Sequence, residues 1–187
     1  HGISSAMVAS IMKVMVSTIP YRLKLSPAKL LDYMDERLYF DLNKYHASAV
    51  YLYFDFFSNF MRIANAGHPY MIHCPKNKEF YEIETEGAIL GFNIRTPIAT
   101  EQVVSFAPGD RFVIYTDGII ESVTASNEEL GSVGFLEILN AHRSLTQLED
   151  LQESILSDLR TRHGIQTFSD DTMFLLLEVD EYMEKSN

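Results

Sequence analysis

The hydrophobic pattern opens on a helix. Ile3, Met7, Ile11 and Met15 recur every four residues, and Val8, Met12 and Val16 widen the same face. Ser4 or Ser5 offers a cap and Pro20 a stop. So wide an apolar face predicts burial against a sheet. Ser26-Pro27 predicts a second helix, capped and then pre-set in φ by the proline, with a stripe of Leu30, Leu31, Met34 and Leu38 reaching about Leu42.

The middle of the chain reads as strands. Ala47 to Phe56 is nearly continuous β-branched and aromatic sequence, the pattern of a strand buried on both faces. Phe60 to Asn65 alternates. The Asn65-Ala66-Gly67-His68-Pro69 segment then breaks the pattern, with Gly67 suited to positive φ and His68 held extended by Pro69. Strands at about 70–74 and 79–83 flank a Pro75–Lys78 turn, and strands at 101–106 and 111–116 flank Ala107-Pro108-Gly109-Asp110. Helical periodicity returns from Ser132 to Asn140. It appears again from Thr146, where Glu149 completes a capping box ahead of Leu148, Leu151, Ile155 and Leu159. A last apolar strand covers Thr172 to Val179. Helices, a run of strands, then helices and one strand predict an α+β fold of antiparallel sheets covered by helices, with no parallel doubly wound sheet.

Composition narrows the function. The 187 residues suit a single domain, and 47% hydrophobic with 22% charged residues is a globular mix. A net charge of −11 disfavours nucleic acid and anionic membrane surfaces as partners and is compatible with divalent cations. The single Cys74 excludes a disulfide framework or a cysteine zinc site within one chain and points to the cytosol. The apolar stretch from Ala6 to Ile19 is interrupted by Lys13 and is too short for a membrane span. A start at His1 reads as a piece of a longer protein.

Two acidic positions stand at strand ends. Asp117 follows the 111–116 strand and precedes Gly118, while Asp170 and Asp171 precede the final strand. Either motif by itself fits a turn or a solvated strand end. If the two strands are neighbours, the carboxylates meet at one sheet edge, an oxygen donor set suited to Mg2+ or Mn2+. His1, His46, His142 and His163 show no pairing that suggests a ligand or base, and Glu82, Glu84 and Glu86 read as a solvated strand edge. Neither a G-x-S-x-G elbow nor a phosphate-cradling glycine loop occurs.

Asn65-Ala66-Gly67-His68-Pro69, Gly87-Ala88-Ile89-Leu90-Gly91, Pro108-Gly109-Asp110, Tyr115-Thr116-Asp117-Gly118-Ile119-Ile120-Glu121 and Asp170-Asp171-Thr172 stand in a fixed order. In that order and spacing the chain resembles the SpoIIE/RsbU-type serine phosphatases, the bacterial branch of the metal-dependent type-two-C phosphatases. His1-Gly2-Ile3-Ser4-Ser5-Ala6-Met7 resembles the end of that family's G-D-V-S-G-H-G motif and the helix after it.

The resemblance implies an α-β-β-α sandwich of two mainly antiparallel sheets flanked by helices. Residues 1–187 would form one phosphatase-like domain, N-terminally truncated, with the first strands missing. It implies two Mn2+ or Mg2+ ions in the complete domain, with Asp117 and Asp170 as ligands, Asp171 and Gly118 in support, and Asn65, Gly67 and His68 as a structural motif. It implies hydrolysis, by metal-activated water, of a phosphoserine on an anti-anti-sigma (STAS-domain) partner. An upstream sensor or receiver module is expected in the parent chain, in the cytoplasm, and a homodimer is left open. Because the family's bridging Asp would lie upstream of His1, the fragment is expected to be weak or inactive. The rival expectation is a catalytically impaired, partner-binding regulatory module.

Overall fold

The structure is a computed structural model that describes residues 3–41, 45–165, 167, 168 and 170–180, with only the backbone described for residues 3–5 and 41. In chain order the elements are α1 (Ile3–Thr18), α2 (Tyr21–Lys24), α3 (Pro27–Asp41), β1 (Ala49–Asp55), β2 (Phe60–Ala66), β3 (Met71–Cys74) and β4 (Tyr81–Ile83). They continue with β5 (Glu101–Ser105), β6 (Arg111–Tyr115), α4 (Asp117–Ile120), α5 (Gly131–Ala141), α6 (Leu148–Thr161) and β7 (Phe174–Glu178). Two compact units result. One comprises 1–68 with 85–105, and the other 69–84 with 106–187.

The first unit holds a three-stranded antiparallel sheet in the order β1-β2-β5. Helix α3 supplies its core, where Leu30, Leu31, Met34 and Leu38 pack with Ala64, Ala66, Leu90 and Ile98. Two carboxylates on the same helix pin the backbone of the loop before β5. Asp32 Oδ1 accepts the Ile98 N–H at 2.6 Å and Asp35 Oδ1 accepts the Gly91 N–H at 2.6 Å.

Several local expectations shift in this unit. Ser26 does precede α3, but its hydroxyl donates to Glu101 Oε2 at 2.9 Å instead of capping the helix. The same Glu101 oxygen receives the Ala28 N–H at 3.4 Å, so a residue on β5 does the capping. Helix α1 is buried along a narrower stripe than its sequence predicts. Val8 is buried and Met12 and Val16 pack on the α3 core, whereas Met7 is 54% and Val14 60% exposed. β1 is half-buried along its whole length, because it is an edge strand among the described residues. Pro20 ends α1 and α2 follows at once, a turn too short for periodicity to reveal. The expected helix end at Leu42 and the opening His1-Gly2 lie outside the described residues.

The second unit holds a four-stranded antiparallel sheet in the order β4-β3-β6-β7. Val113 and Tyr115 of β6 and Ile72 of β3 pack with Phe135, Ile138 and Leu139 of α5 and with Leu151, Ile155 and Leu159 of α6. Spacing by four along α6 puts its apolar residues on one stripe, as the sequence indicates. The capping box does not form. Helix α6 starts at Leu148 with Gln147 at the cap position and no side-chain cap bond, while Glu149 lies in the first turn, where its negative charge is favourable beside the positive end of the helix dipole. Glu84, just after the edge strand β4, is exposed as a solvated edge requires, whereas Glu82 on β4 is half-buried and accepts the Tyr115 hydroxyl at 3.4 Å.

Candidate functional site

β6 and β7 pair antiparallel with Arg111 opposite Glu178 and Tyr115 opposite Phe174. The chain therefore leaves β6 at the same end at which it enters β7. Asp117, two residues past Tyr115, and Asp170–Asp171, ahead of Phe174, come to this end together. Thr116 joins the two segments. Its N–H donates to the Met173 carbonyl at 2.9 Å, its hydroxyl accepts the Met173 N–H at 2.9 Å, and its hydroxyl reaches the Asp171 carbonyl at 3.2 Å. Tight packing continues at Gly118. A Cβ there would stand 2.9 Å from the Asp171 carbonyl oxygen and 3.0 Å from Thr172 Oγ1, so a glycine lets the backbones approach.

Both carboxylates are aimed by neighbouring backbone. Asp117 Oδ1 accepts the Gly118 N–H at 3.0 Å and Asp170 Oδ1 accepts the Asp171 N–H at 2.7 Å. All three acids are exposed. Asp117 opens α4, whose backbone N–H groups add a partial positive charge beside it. Exposed, oxygen-only donors of this kind match the hard cations Mg2+ and Mn2+, which keep several waters and need few protein ligands. Among the described residues no cluster of three or more His, Cys, Asp or Glu has the spacing of a complete cage.

The Asn65–His68 segment performs a backbone task within the first unit. Asn65 is buried, its Nδ2 donates to the His68 carbonyl at 2.8 Å, and its Oδ1 accepts the His68 N–H at 2.8 Å. The pair closes a turn that passes through Gly67 at φ +70°. Gly87 lies where any Cβ would collide with the Asn65 carbonyl, which ties this turn to the Gly87–Gly91 segment.

Sequence reasoning missed a second polar constellation. Asp110 and His73 are both buried, with His73 Nε2 3.0 Å from Asp110 Oδ2 and His73 Nδ1 2.8 Å from the Tyr81 hydroxyl. With the carboxylate accepting, Nε2–H donates and Nδ1 accepts from Tyr81. Burial pushes the His73 pKa below its ordinary 6.5, against the opposing pull of Asp110. Burial, reinforced by Glu82, likewise pushes the Tyr115 phenol upward. The Pro-Gly-Asp motif marked a turn correctly but gave no hint of a histidine 37 positions earlier. His142 also has a partner, Asp158 Oδ2 at 2.9 Å, between α5 and α6.

Known proteins share this fold. The family model for Stage II sporulation protein E (SpoIIE) matches residues 1–180. Phosphoserine phosphatase RsbP of Bacillus subtilis (strain 168) is 23% identical over 184 residues. That match covers 96% of this chain but only 43% of the relative's length. The SiaA-PP2C domain of Pseudomonas aeruginosa aligns with a TM-score of 0.80 at 20% identity, over 96% of this chain and 72% of that one. The phosphatase domain of the cell fate determinant SpoIIE from Bacillus subtilis, presoaked with Mn, aligns with a TM-score of 0.60 at 12% identity, covering 100% and 79%. Two antiparallel sheets with flanking helices are thus the fold of PP2C-type phosphatase domains. With the family model matching almost end to end, the chain belongs to the SpoIIE family.

Proposed function

We propose that residues 1–187 act as one phosphatase domain that hydrolyses phosphoserine or phosphothreonine on a small regulatory protein with Mn2+ or Mg2+ bound at Asp117 and Asp170. The observation that carries this reading is the coupling of the two strand ends, in which Thr116 and Gly118 hold the Asp117 turn against Asp170–Thr172. Family membership and the manganese-soaked SpoIIE relative support the same reading. A divalent ion there would supply a polarised water and offset charge on the phosphoryl oxygens.

The chain's own residues prepare that position. The Gly118 and Asp171 N–H groups each hold one carboxylate oxygen and so fix how the other is presented. Thr116 keeps the spacing between the two segments, and Asp171 adds a third acid next to Asp170. The exposed setting leaves room for a phosphorylated loop of a folded protein. A STAS-domain anti-anti-sigma factor in the cytoplasm is the partner this reading names; the phosphoserine chemistry has support in RsbP, a relative that is a phosphoserine phosphatase.

The test is phosphate release from a phosphoserine STAS protein with increasing Mn2+, by the protein in its natural length. Asp117→Asn and Asp170→Asn should each lower turnover by about 100-fold or more, with the melting temperature in EDTA unchanged. Retained turnover in both variants would refute the assignment. Binding of the phosphoprotein without turnover by the parent would favour a docking module instead.

A further inference from the structure

The opposite end of the β6–β7 pair carries a concentration of positive charge that the acidic composition does not suggest. An open pocket of about 560 Å3 is lined there by Lys76, Lys78, Arg111 and Arg143, with Glu178 as the only acid in its wall among the described residues. Four of the chain's 15 basic residues thus converge on one hollow of a protein with net charge −11. All of its lining lies in the second unit.

The hollow is built on fixed elements. Arg111 is spent on structure. Its Nε donates to Glu178 Oε2 at 2.6 Å, its Nη1 to the Leu145 carbonyl at 2.7 Å and its Nη2 to the Thr146 carbonyl at 3.1 Å. That guanidinium locks the loop between α5 and α6 onto β6 and forms one wall. The opposite wall is the Pro75–Lys78 turn, closed by the Lys78 N–H to the Pro75 carbonyl at 2.9 Å, with Asn77 at φ 63°. Asp110 Oδ1 anchors this turn by accepting the Lys76 N–H at 2.8 Å. Both walls are therefore set before any ligand arrives.

What remains is cationic. Arg111 and Glu178 neutralise each other. Neither the Lys76 nor the Lys78 ammonium has an ion-pair partner among the described residues, and both side chains are exposed. Arg143 donates Nη1 to the Asn140 carbonyl at 2.8 Å, and its Nη2 is 3.9 Å from a largely exposed Glu79, a contact that water and salt screen. Ser144 and Thr146 add hydroxyls, and Pro75 and Leu145 add apolar wall. Volumes of this order belong to small-molecule sites, and two or three cations call for a ligand of matching negative charge.

We infer that this pocket binds a small phosphorylated molecule carrying two or more negative charges, at a site separate from the acidic strand ends. Arg111 opens β6 and Asp117 lies six positions on, so at about 3.3 Å per residue the two sites are roughly 20 Å apart. The inference does not depend on the phosphatase reading. Repulsion by the net charge of the protein works against any anion, so occupancy requires this local reversal of sign.

Isothermal titration with inorganic pyrophosphate and, separately, adenosine diphosphate tests it, in EDTA so that no divalent ion recruits phosphate to Asp117 and Asp170. Saturable binding is expected, weakened by raising NaCl from about 0.1 to about 0.5 M. Pyrophosphate alone would identify phosphate recognition as sufficient, and preference for the nucleotide would show that the Pro75–Leu145 wall contributes. Lys76→Glu with Lys78→Glu should weaken binding at least tenfold, as should Arg143→Gln alone, while Asp117→Asn leaves it unchanged. A Lys76→Gln, Lys78→Gln variant with the parent's melting temperature guards against misfolding and should also lose affinity. No saturable binding, or binding indifferent to these substitutions, would overturn the inference. Binding of a phosphoserine peptide but of neither small molecule would overturn it too.

Discussion

Replacing Asp110 isolates the energetics of the one buried carboxylate that the sheet of the second unit is built around. The residue is 4% exposed. Its Oδ1 accepts the Lys76 N–H at 2.8 Å, and its Oδ2 accepts the Ala107 N–H at 3.1 Å and the His73 Nε2–H at 3.0 Å. Asp110→Ala leaves all three donors without their acceptor. An unsatisfied buried donor costs about 1–3 kcal/mol, and removing the buried charge returns part of its desolvation cost, so about 3 kcal/mol net is expected. For a chain of this size that is roughly 6–12 °C in melting temperature. Asp110→Asn keeps the volume but turns one oxygen into an NH2 group. With NH2 at the Oδ1 position it faces the Lys76 N–H, and at Oδ2 it faces the Ala107 N–H. A tautomer switch at His73 relieves the histidine alone, so at least one donor stays unmatched at about 1–2 kcal/mol. Calorimetry and urea unfolding should thus rank parent above Asp110→Asn above Asp110→Ala, with the exposed Asp150→Asn control within about 0.5 kcal/mol of parent. If the asparagine variant is as damaging as alanine, charge and not acceptor count governs the site. If both melt like the parent, the hydrogen-bond accounting is wrong.

Other expectations are independent of that one. Gly118→Ala places a methyl 2.9 Å from the Asp171 carbonyl and should push the two acidic segments apart by a few tenths of an ångström, raising the Mn2+ needed for half-maximal turnover about tenfold while the melting temperature falls only slightly. Because the folded His73 pKa lies below its ordinary 6.5, the unfolded chain takes up that proton first as pH falls; stability should drop from about pH 6.5 downward, and urea unfolding of His73→Gln at about pH 7.5 and 5.5 should show a smaller drop than the parent. Val8→Asp should destabilise the protein by about 3 kcal/mol or more by burying an unpaired charge, whereas Met7→Asp, at a site 54% exposed, should cost less than about 0.5 kcal/mol; equal effects would mean that α1 docks differently.

What was legible in the sequence depends on how locally each feature is encoded. The apolar run at 111–115, the stripe of α6 and the Asn65–Gly67 turn each carry their cause within a few residues, and each was placed to within about two positions. Features set by distant partners were not legible. Ser26 had the right type for a helix cap, but Glu101, 75 positions later, takes both its hydroxyl and the helix N–H. Thr146 and Glu149 had capping-box spacing, but Arg111 captures the carbonyls of Leu145 and Thr146, and α6 starts two residues later. The buried face of α1 was overestimated for a similar reason. Periodicity counts apolar residues, while burial depends on how much surface the opposing core offers: among the described side chains of α1, Val8 is buried and Met12 and Val16 pack on the α3 core.

The acidic strand ends were legible for a reason that does not lie in the acids themselves. A slip of one residue in β7 would turn every side chain of that strand to the other face. Val113 pairs with Leu176 and Tyr115 with Phe174, and all four side chains pack on the same α5–α6 core, so the observed register is the one that buries them together. Ile114 and Leu175, which pair on the other face, are left partly exposed, so a slip in β7 would exchange Phe174 and Leu176 on the core for the outward-facing Leu175. Once the register is set, the number of residues between Phe174 and Asp170 and between Tyr115 and Asp117 determines where the carboxylates fall. Thr116 then completes the alignment with bonds to Asp171 and Met173. The position of the candidate cation site is therefore held by apolar packing several residues away. It follows that large-to-small substitutions at Val113 or Leu176 would disturb the relation between Asp117 and Asp170 more than neutralising a neighbouring surface charge such as Glu121.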